Sequence, residues 1–476
     1  MTSKISTTAF VAERGTTDCK SCARRRIRCD RARPSCLKCM KRSIECPGYG
    51  LNLRWANAVA VRGRFKGMKY PKDLSQANVP AKEWSKPWAE IAVTIAKIVP
   101  GAPNAREIEH LVTYYSEKVA GNMIWVDSPQ NPYRRLVVPK AKSSPIMLLA
   151  ILAVSAEHMA ATEPLLRTFV PKACDVVVSS IAHELSKVTE FLGSKEPRDV
   201  LDLETVEWIL ASMLILSNYE CIGDSSAAWC SHRLGARLLI NGYSDSRAET
   251  SELFRFLRAQ FGIHDVLAST TTSLYLGTDD VVLPKAGDPE ALLSEYMRLI
   301  HQQTVCIMNK APQNIPCPAT LRMDFEKARG FTLMKAATPV VLDGEFTRLT
   351  FINLVDVHHL AGLLYAYRCV YKFTSQDAEI AYTTLQLFEK LQSCATNDAL
   401  IQHLTWPAFI AGTECNNCEK RQRLISNWYS NIINKTGFRN YRIVVSFLEE
   451  LWKHRSENWL EMAKVWERDG KPLLAV

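Results

Sequence analysis

Six cysteines stand at positions 19, 22, 29, 36, 39 and 46, with the spacing C-x2-C-x6-C-x6-C-x2-C-x6-C. The last three repeat the first three at an offset of 17 residues. Zinc takes four thiolates in a tetrahedron, so two ions need eight ligand positions, and six sulfurs supply eight only if two of them bridge. A single zinc would leave two cysteines idle. The repeat therefore favours two Zn2+ ions, with one bridging sulfur from each half. By symmetry alone the bridging pair is Cys19 with Cys36, Cys22 with Cys39, or Cys29 with Cys46. Six thiolates and two dications leave a local charge of −2 for neighbouring arginines to offset.

The metal is also needed for folding. Between Cys19 and Cys46 the apolar side chains are Ala23, Ile27, Ala32, Leu37, Met40 and Ile44, too few to build a core. A disulfide framework would need an oxidising compartment. The opening Met1-Thr-Ser-Lys-Ile-Ser-Thr-Thr has no basic segment followed by an apolar core, and the remaining cysteines are scattered. A reducing compartment is the expectation.

The two halves carry different charge. From Cys19 to Cys29 the chain holds Lys20, Arg24, Arg25, Arg26 and Arg28 with no acid. From Cys36 to Cys46 it holds Lys38, Lys41 and Arg42 against Glu45. Residues 1–70 carry 17 Lys and Arg against 4 Asp and Glu, a net +13, whereas the whole chain is +10, so residues 71–476 total −3. The basic character belongs to one end, as for an arm that tracks phosphates. A short helix after each C-x2-C is expected, its first turn fixed by the metal. Arginines on the first would project from a rigid support, and their planar fork suits O6 and N7 of guanine.

Cys19-Lys-Ser-Cys-Ala-Arg-Arg-Arg-Ile-Arg-Cys-Asp30, then Arg33-Pro34-Ser35-Cys36-Leu-Lys-Cys39 and Cys46-Pro-Gly-Tyr49, resemble the fungal binuclear zinc-cluster transcription regulators. The resemblance implies that the first and fourth cysteines, Cys19 and Cys36, bridge the metals. It implies that the base-reading residues are Arg25 and Arg26, with CGG-type triplets as targets in double-stranded DNA. Lys20, Arg24, Arg28, Lys38, Lys41 and Arg42 are the expected backbone contacts. Relatives often have lysine at the base-reading positions and a basic residue where this chain has Ala23, so one backbone contact is missing.

Residues 1–18 read as a disordered tail, 19–46 as the zinc-cluster DNA-binding domain, and 47–104 as a linker. In the linker Arg54, Arg62, Arg64, Lys66 and Lys69 interleave with Trp55, Phe65 and Tyr70. Pro71, Pro80, Pro87, Pro100 and Pro103 then predict an extended connection with at most one short helix near 88–99. No sustained heptad follows the cluster, so a homodimer would lack an evident coiled coil.

Residues 105–476 read as one large all-α array, which makes the chain mainly α: a small two-zinc module with two short helices, then the helical domain. Asn104-Ala-Arg-Glu107 has the spacing of a helix start. Ser144-Pro145 opens a strongly apolar helix, Ile146 to Val154, too short to cross a bilayer. Asn131-Pro-Tyr-Arg-Arg, Ala150-Ile-Leu-Ala-Val-Ser-Ala-Glu-His158, Trp229-Cys-Ser-His-Arg-Leu-Gly-Ala236, Trp406-Pro407 and Trp452 resemble the fungal-specific transcription factor domain. That resemblance implies a regulatory region contacting the transcription machinery or co-regulators, without assigning a role to any residue.

No G-x-S-x-G, H-E-x-x-H, G-x-x-x-x-G-K-[ST] or G-x-G-x-x-G is present, so no enzyme is expected. His358-His359 reads as a helix-surface pair. Cys415-Asn-Asn-Cys418 is a lone C-x2-C without a second pair. The sequence thus points to a nuclear, sequence-specific regulator of RNA polymerase II genes with no membrane partner, and by family habit to a secondary-metabolite gene cluster. The alternative is a zinc-bearing interaction or small-molecule-sensing protein whose basic arm serves nuclear import.

Overall fold

The computed structural model describes residues 19–32, 35–44, 46, 81–124, 127–128, 130–159, 168–191, 201–222, 227–243, 246–272, 277–278, 280–285, 293–308, 316–336, 345–372, 377–394 and 401–475. Helix is the only regular structure among them. The chain divides into two compact units, Met1–Ala81 and Lys82–Val476. The tail expected over 1–18 and the basic segment of the linker lie outside the described residues.

The helical body extends further towards the N-terminus than the expected boundary at 105. Ala81–Ile98 is one helix, and Trp88, Ile95 and Val99 are buried in the core. The proline spacing allows one short helix near 88–99; the helix found here starts earlier, at Ala81, with Pro87 inside it, and apolar burial of the following turns overrides the break.

Ala105–Tyr114 begins where its capping residues predict. The Asn104 side chain accepts from the amides of Arg106 and Glu107 at 3.0 and 3.1 Å, and Glu107 accepts from the Asn104 amide at 2.7 Å. Pro145–Met159 is apolar on every face and buried nearly throughout, as such a helix must be in water. It packs between Phe169–Phe191 and Leu203–Ile222. Glu345–Cys369 contains the one described span, Arg348–Cys369, long and apolar enough to cross a membrane by length and composition. Of its most apolar stretch, 78% is buried, and it packs against Pro318–Ala336 and Ala378–Cys394.

The motifs that carry the second resemblance are internal ties. The Asn131 amide donates to the Ala120 carbonyl and to Asp127, each at 2.9 Å, and its oxygen accepts from the Tyr133 amide. Arg134 adds a two-pronged pair to Asp127. His158 bonds Tyr114 Oη at 2.8 Å and the Thr436 carbonyl at 3.0 Å, joining segments far apart in sequence. Trp406 donates to Thr270 Oγ1 at 2.9 Å and Trp452 to the Gly412 carbonyl at 2.8 Å. Buried polar groups paired in this way fix which helices meet.

His358 and His359 are buried, 0% and 6% exposed, which corrects the surface reading. The run from Leu354 to Tyr367 is apolar on all sides, so no face of it reaches water. His358 bonds the Leu354 carbonyl and stacks on Trp406. Burial pushes its pKa down to about 4, so it is neutral at physiological pH.

Candidate metal centre and nucleic-acid interface

Helices Lys20–Arg25 and Leu37–Met40 are related by the same 17-residue offset as the cysteines. They begin inside each C-x2-C rather than after it, because the first cysteine of each half is the cap. The Cys22 amide points at Cys19 Sγ, 3.4 Å away, and the Cys39 amide at Cys36 Sγ, 3.3 Å away. Each helix ends in the same turn: Ile27 N–H bonds the Cys22 carbonyl and Ile44 N–H the Cys39 carbonyl, both at 3.1 Å. The preceding residues, Arg26 and Ser43, are left-handed at φ 56° and 48°. Such a conformation costs a side-chain-bearing residue roughly 1–2 kcal/mol, and it survives where the surroundings over-determine it. Here it turns the chain back so that Cys29 and Cys46 return to the start of their own halves. The Cys36 amide lies 3.5 Å from Cys46 Sγ, and the Cys19 amide bonds Cys29 in the same way.

Five of the six cysteines are buried and Cys46 packs beside them. The sulfurs of Cys19, Cys22, Cys36 and Cys39 form one group, and Cys29 lies with Asp30 and Cys36 in a second. Cys19 to Cys36 is 3.7 Å, Cys19 to Cys39 3.8 Å and Cys22 to Cys36 3.6 Å. These separations exclude a sulfur–sulfur bond, which is about 2.05 Å. They match the edge of a zinc tetrahedron, roughly 3.8 Å when the zinc–sulfur bond is about 2.3 Å. The donor set therefore fits zinc, and the two sulfurs that recur in the short distances are Cys19 and Cys36. Burial pushes the Cys19 thiol up to about 12 and raises Cys36 further. Thiols so buried bind as thiolates only by giving their protons up to the metal's charge, so zinc uptake releases protons and weakens on acidification.

Asp30 has no counterpart in the second half, where Pro47 occupies the equivalent position. Its carboxylate accepts from the amides of Leu37 at 3.1 Å, Lys38 at 3.4 Å and Ala32 at 3.4 Å. The Leu37 amide above all holds its pKa below the usual carboxylate range. One half thus caps the helix of the other. Asp30→Ala should speed zinc release to a colorimetric chelator; an unchanged rate would count against this cap. The Cys-Asp pair is visible in the sequence but its partner is not, since the bonds span seven and eight residues.

Arg25 ends the first helix, half-buried, with its Nη1 enclosed and unpartnered. Arg26 and Arg28 are exposed, as are Lys38, Lys41 and Arg42. The side chains of Lys20 and Arg24 lie outside the described residues. No other group of metal-binding side chains occurs among the described residues. Cys415 is buried with its thiol directed at the Ala411 carbonyl, and Cys418 precedes the helix Glu419–Thr436.

Residues 17–56 match the fungal Zn(2)-Cys(6) binuclear cluster domain. Residues 110–324 and 293–473 match the fungal specific transcription factor domain. Over 38 residues the chain is 55% identical to the acriflavine sensitivity control protein acr-2 of Neurospora crassa, a match covering 8% of this chain and 6% of that protein. No solved structure matches.

Proposed function

Because the chain belongs to the fungal zinc-cluster transcription factors that carry the fungal specific transcription factor domain, we propose that it reads CGG-type triplets in double-stranded DNA through the first half of its cluster. Cys19 and Cys36 are the shared sulfurs, Cys22 and Cys29 complete one tetrahedron, and Cys39 and Cys46 the other. The observation that carries the reading is the place of Arg25 and Arg26, at the end of a helix capped by a cluster sulfur. The planar guanidinium fork, carried on a backbone fixed that way, suits the O6 and N7 acceptors of guanine. Lys38, Lys41 and Arg42, exposed on the second half, serve the phosphates, with Lys20, Arg24 and Arg28 on the first. The reading extends to the nucleus as its place of action, RNA polymerase II genes as its targets and co-regulators as partners of the helical body. The secondary-metabolite gene cluster rests on family habit alone.

Arg25→Ala and Arg26→Ala should each cost about 1–3 kcal/mol on a CGG duplex and relax base preference. Lys41→Ala and Arg42→Ala should weaken binding to all sequences alike and lower the salt slope by about 0.9 for each phosphate left without its cation. Fluorescence anisotropy over a salt series measures both. Identical behaviour of the two classes would remove the readout from the first half. In the competing reading the basic arm serves import only; gel shifts then show salt-sensitive binding indifferent to sequence, rather than saturable binding that survives nonspecific competitor.

A further inference from the structure

Inside the helical body lies a cavity of about 70 Å³, room for roughly five water molecules. Its apolar wall includes Leu214, Phe261, Leu267, Trp406 and Phe438, and its polar groups include Asn218, Gln260, His264 and His403. The helix Glu252–Ser269 is buried on every face from Phe256 to Ser269 except at His264. His264 keeps some accessible surface and borders the cavity, and its imidazole has no hydrogen-bond partner among the described residues. Gln260, one turn earlier on the same face, is 1% exposed and its side-chain nitrogen is also unpartnered. Two polar groups without hydrogen-bond partners, one turn apart on the cavity wall, are costly unless something occupies the cavity.

We infer that this cavity is a binding site for a small, neutral, largely apolar molecule carrying a hydrogen-bond acceptor, which His264 engages. The charge of the walls selects a neutral ligand. Arg233 borders the cavity, but its guanidinium donates to Asp265 Oδ1 at 2.9 Å and to Thr272 Oγ1 and Ser269 Oγ at 2.7 Å, so its donors are committed to the protein. Burial pushes His264 down to about 4 and His403 to about 3, so both imidazoles are uncharged at physiological pH. An ionic ligand would lose its hydration and find no countercharge. The walls come from helices Leu203–Ile222, Ala227–Gly242, Glu252–Ser269, Thr405–Thr413 and Tyr441–His454, so occupancy ties together segments distant in sequence. The site is independent of DNA reading by the zinc cluster, and its test does not involve DNA.

Three probes of one shape, small enough for the cavity, separate the terms: acetone, isobutene without the acceptor, and acetate with a charge. Saturation-transfer NMR of the full-length chain should show saturable binding of acetone. Isobutene should bind roughly three- to tenfold more weakly, the worth of one hydrogen bond, and acetate more weakly still. His264→Phe keeps a ring in place and should abolish the preference for acetone over isobutene. The comparison of probes on the unsubstituted chain needs no variant to fold. Absence of saturable binding means that the cavity holds water only, and equal binding of all three probes means nonspecific partitioning. Either result overturns the inference, as does a preference that survives His264→Phe.

Discussion

Stripping zinc from the full-length chain should unfold residues 19–46 and leave the helical body intact. In small zinc modules the metal supplies about 10–16 kcal/mol of apparent folding free energy, several times what a segment with six modest apolar side chains can gain from burial. The structure gives the reason in detail. Both helices start on a cluster sulfur, and both end in a left-handed turn that returns a third cysteine to the centre. Without metal, mutual repulsion of thiolates or protonation of buried thiols removes what holds these turns. Hydrogen exchange read by mass spectrometry should show the amides of Ile27, Leu37 and Ile44 losing protection after chelation, while Pro145–Met159 exchanges as before. Any Cys→Ala change among the six should do the same. Metal loss should be largest at Cys19 and Cys36, each of which would serve two ions in the proposed assignment. Retained protection at 19–46 once zinc is gone would refute the role assigned to the metal.

Asp265→Ala is expected to destabilise the helical body by about 3–5 kcal/mol, the cost of stranding buried charge. Asp265 is 0% exposed, and Arg233 and Arg237 are 1% and 2% exposed. Arg237 Nε lies 2.8 Å from Oδ2 and Arg233 Nη2 2.8 Å from Oδ1, while the Val282 amide donates to Oδ2 at 2.9 Å. Both guanidiniums also hold Ser269 Oγ. Removing the carboxylate leaves two cations facing each other in an apolar interior. Arg237→Met should cost less, because Asp265 keeps Arg233. Thermal melting followed by circular dichroism measures both, and zinc content should not change. A destabilisation below about 1 kcal/mol in Asp265→Ala would mean that the triad is not the keystone its burial suggests.

The cluster was legible in the sequence because its constraints are local and chemical. Thiolate count and spacing decide the metal number, and the 17-residue offset reappears in caps, turns and backbone angles. What the offset also contained, and composition could not reveal, is that the helices begin inside the C-x2-C. A cysteine sulfur is an uncommon cap, but the metal holds it at the amide. The helical character of the body was legible from periodicity, and Asn104 with Glu107 marked a true helix start. Its N-terminal extent was not, because closely spaced prolines mask the apolar residues Trp88, Ile95 and Val99. The histidine pair at 358–359 misleads for a related reason: two polar residues suggest a surface, though both of their flanks are apolar. Arg233 and Arg237 stand one turn apart on an apolar helix, a hint of buried charge, but Asp265 lies on another helix and no spacing connects them. The cavity is likewise assembled from residues scattered between 122 and 474, which no linear pattern could gather.

The most direct measurement is an anisotropy titration of the zinc-loaded full-length chain against a CGG duplex and a scrambled duplex of equal length and salt. Two bidentate arginine contacts at about 1 kcal/mol or more each predict at least a roughly 30-fold preference for CGG, abolished when a chelator removes the metal. Equal affinity for the two duplexes with zinc bound, or a preference that persists after zinc is gone, would contradict a reading head built on the first half of a two-zinc cluster.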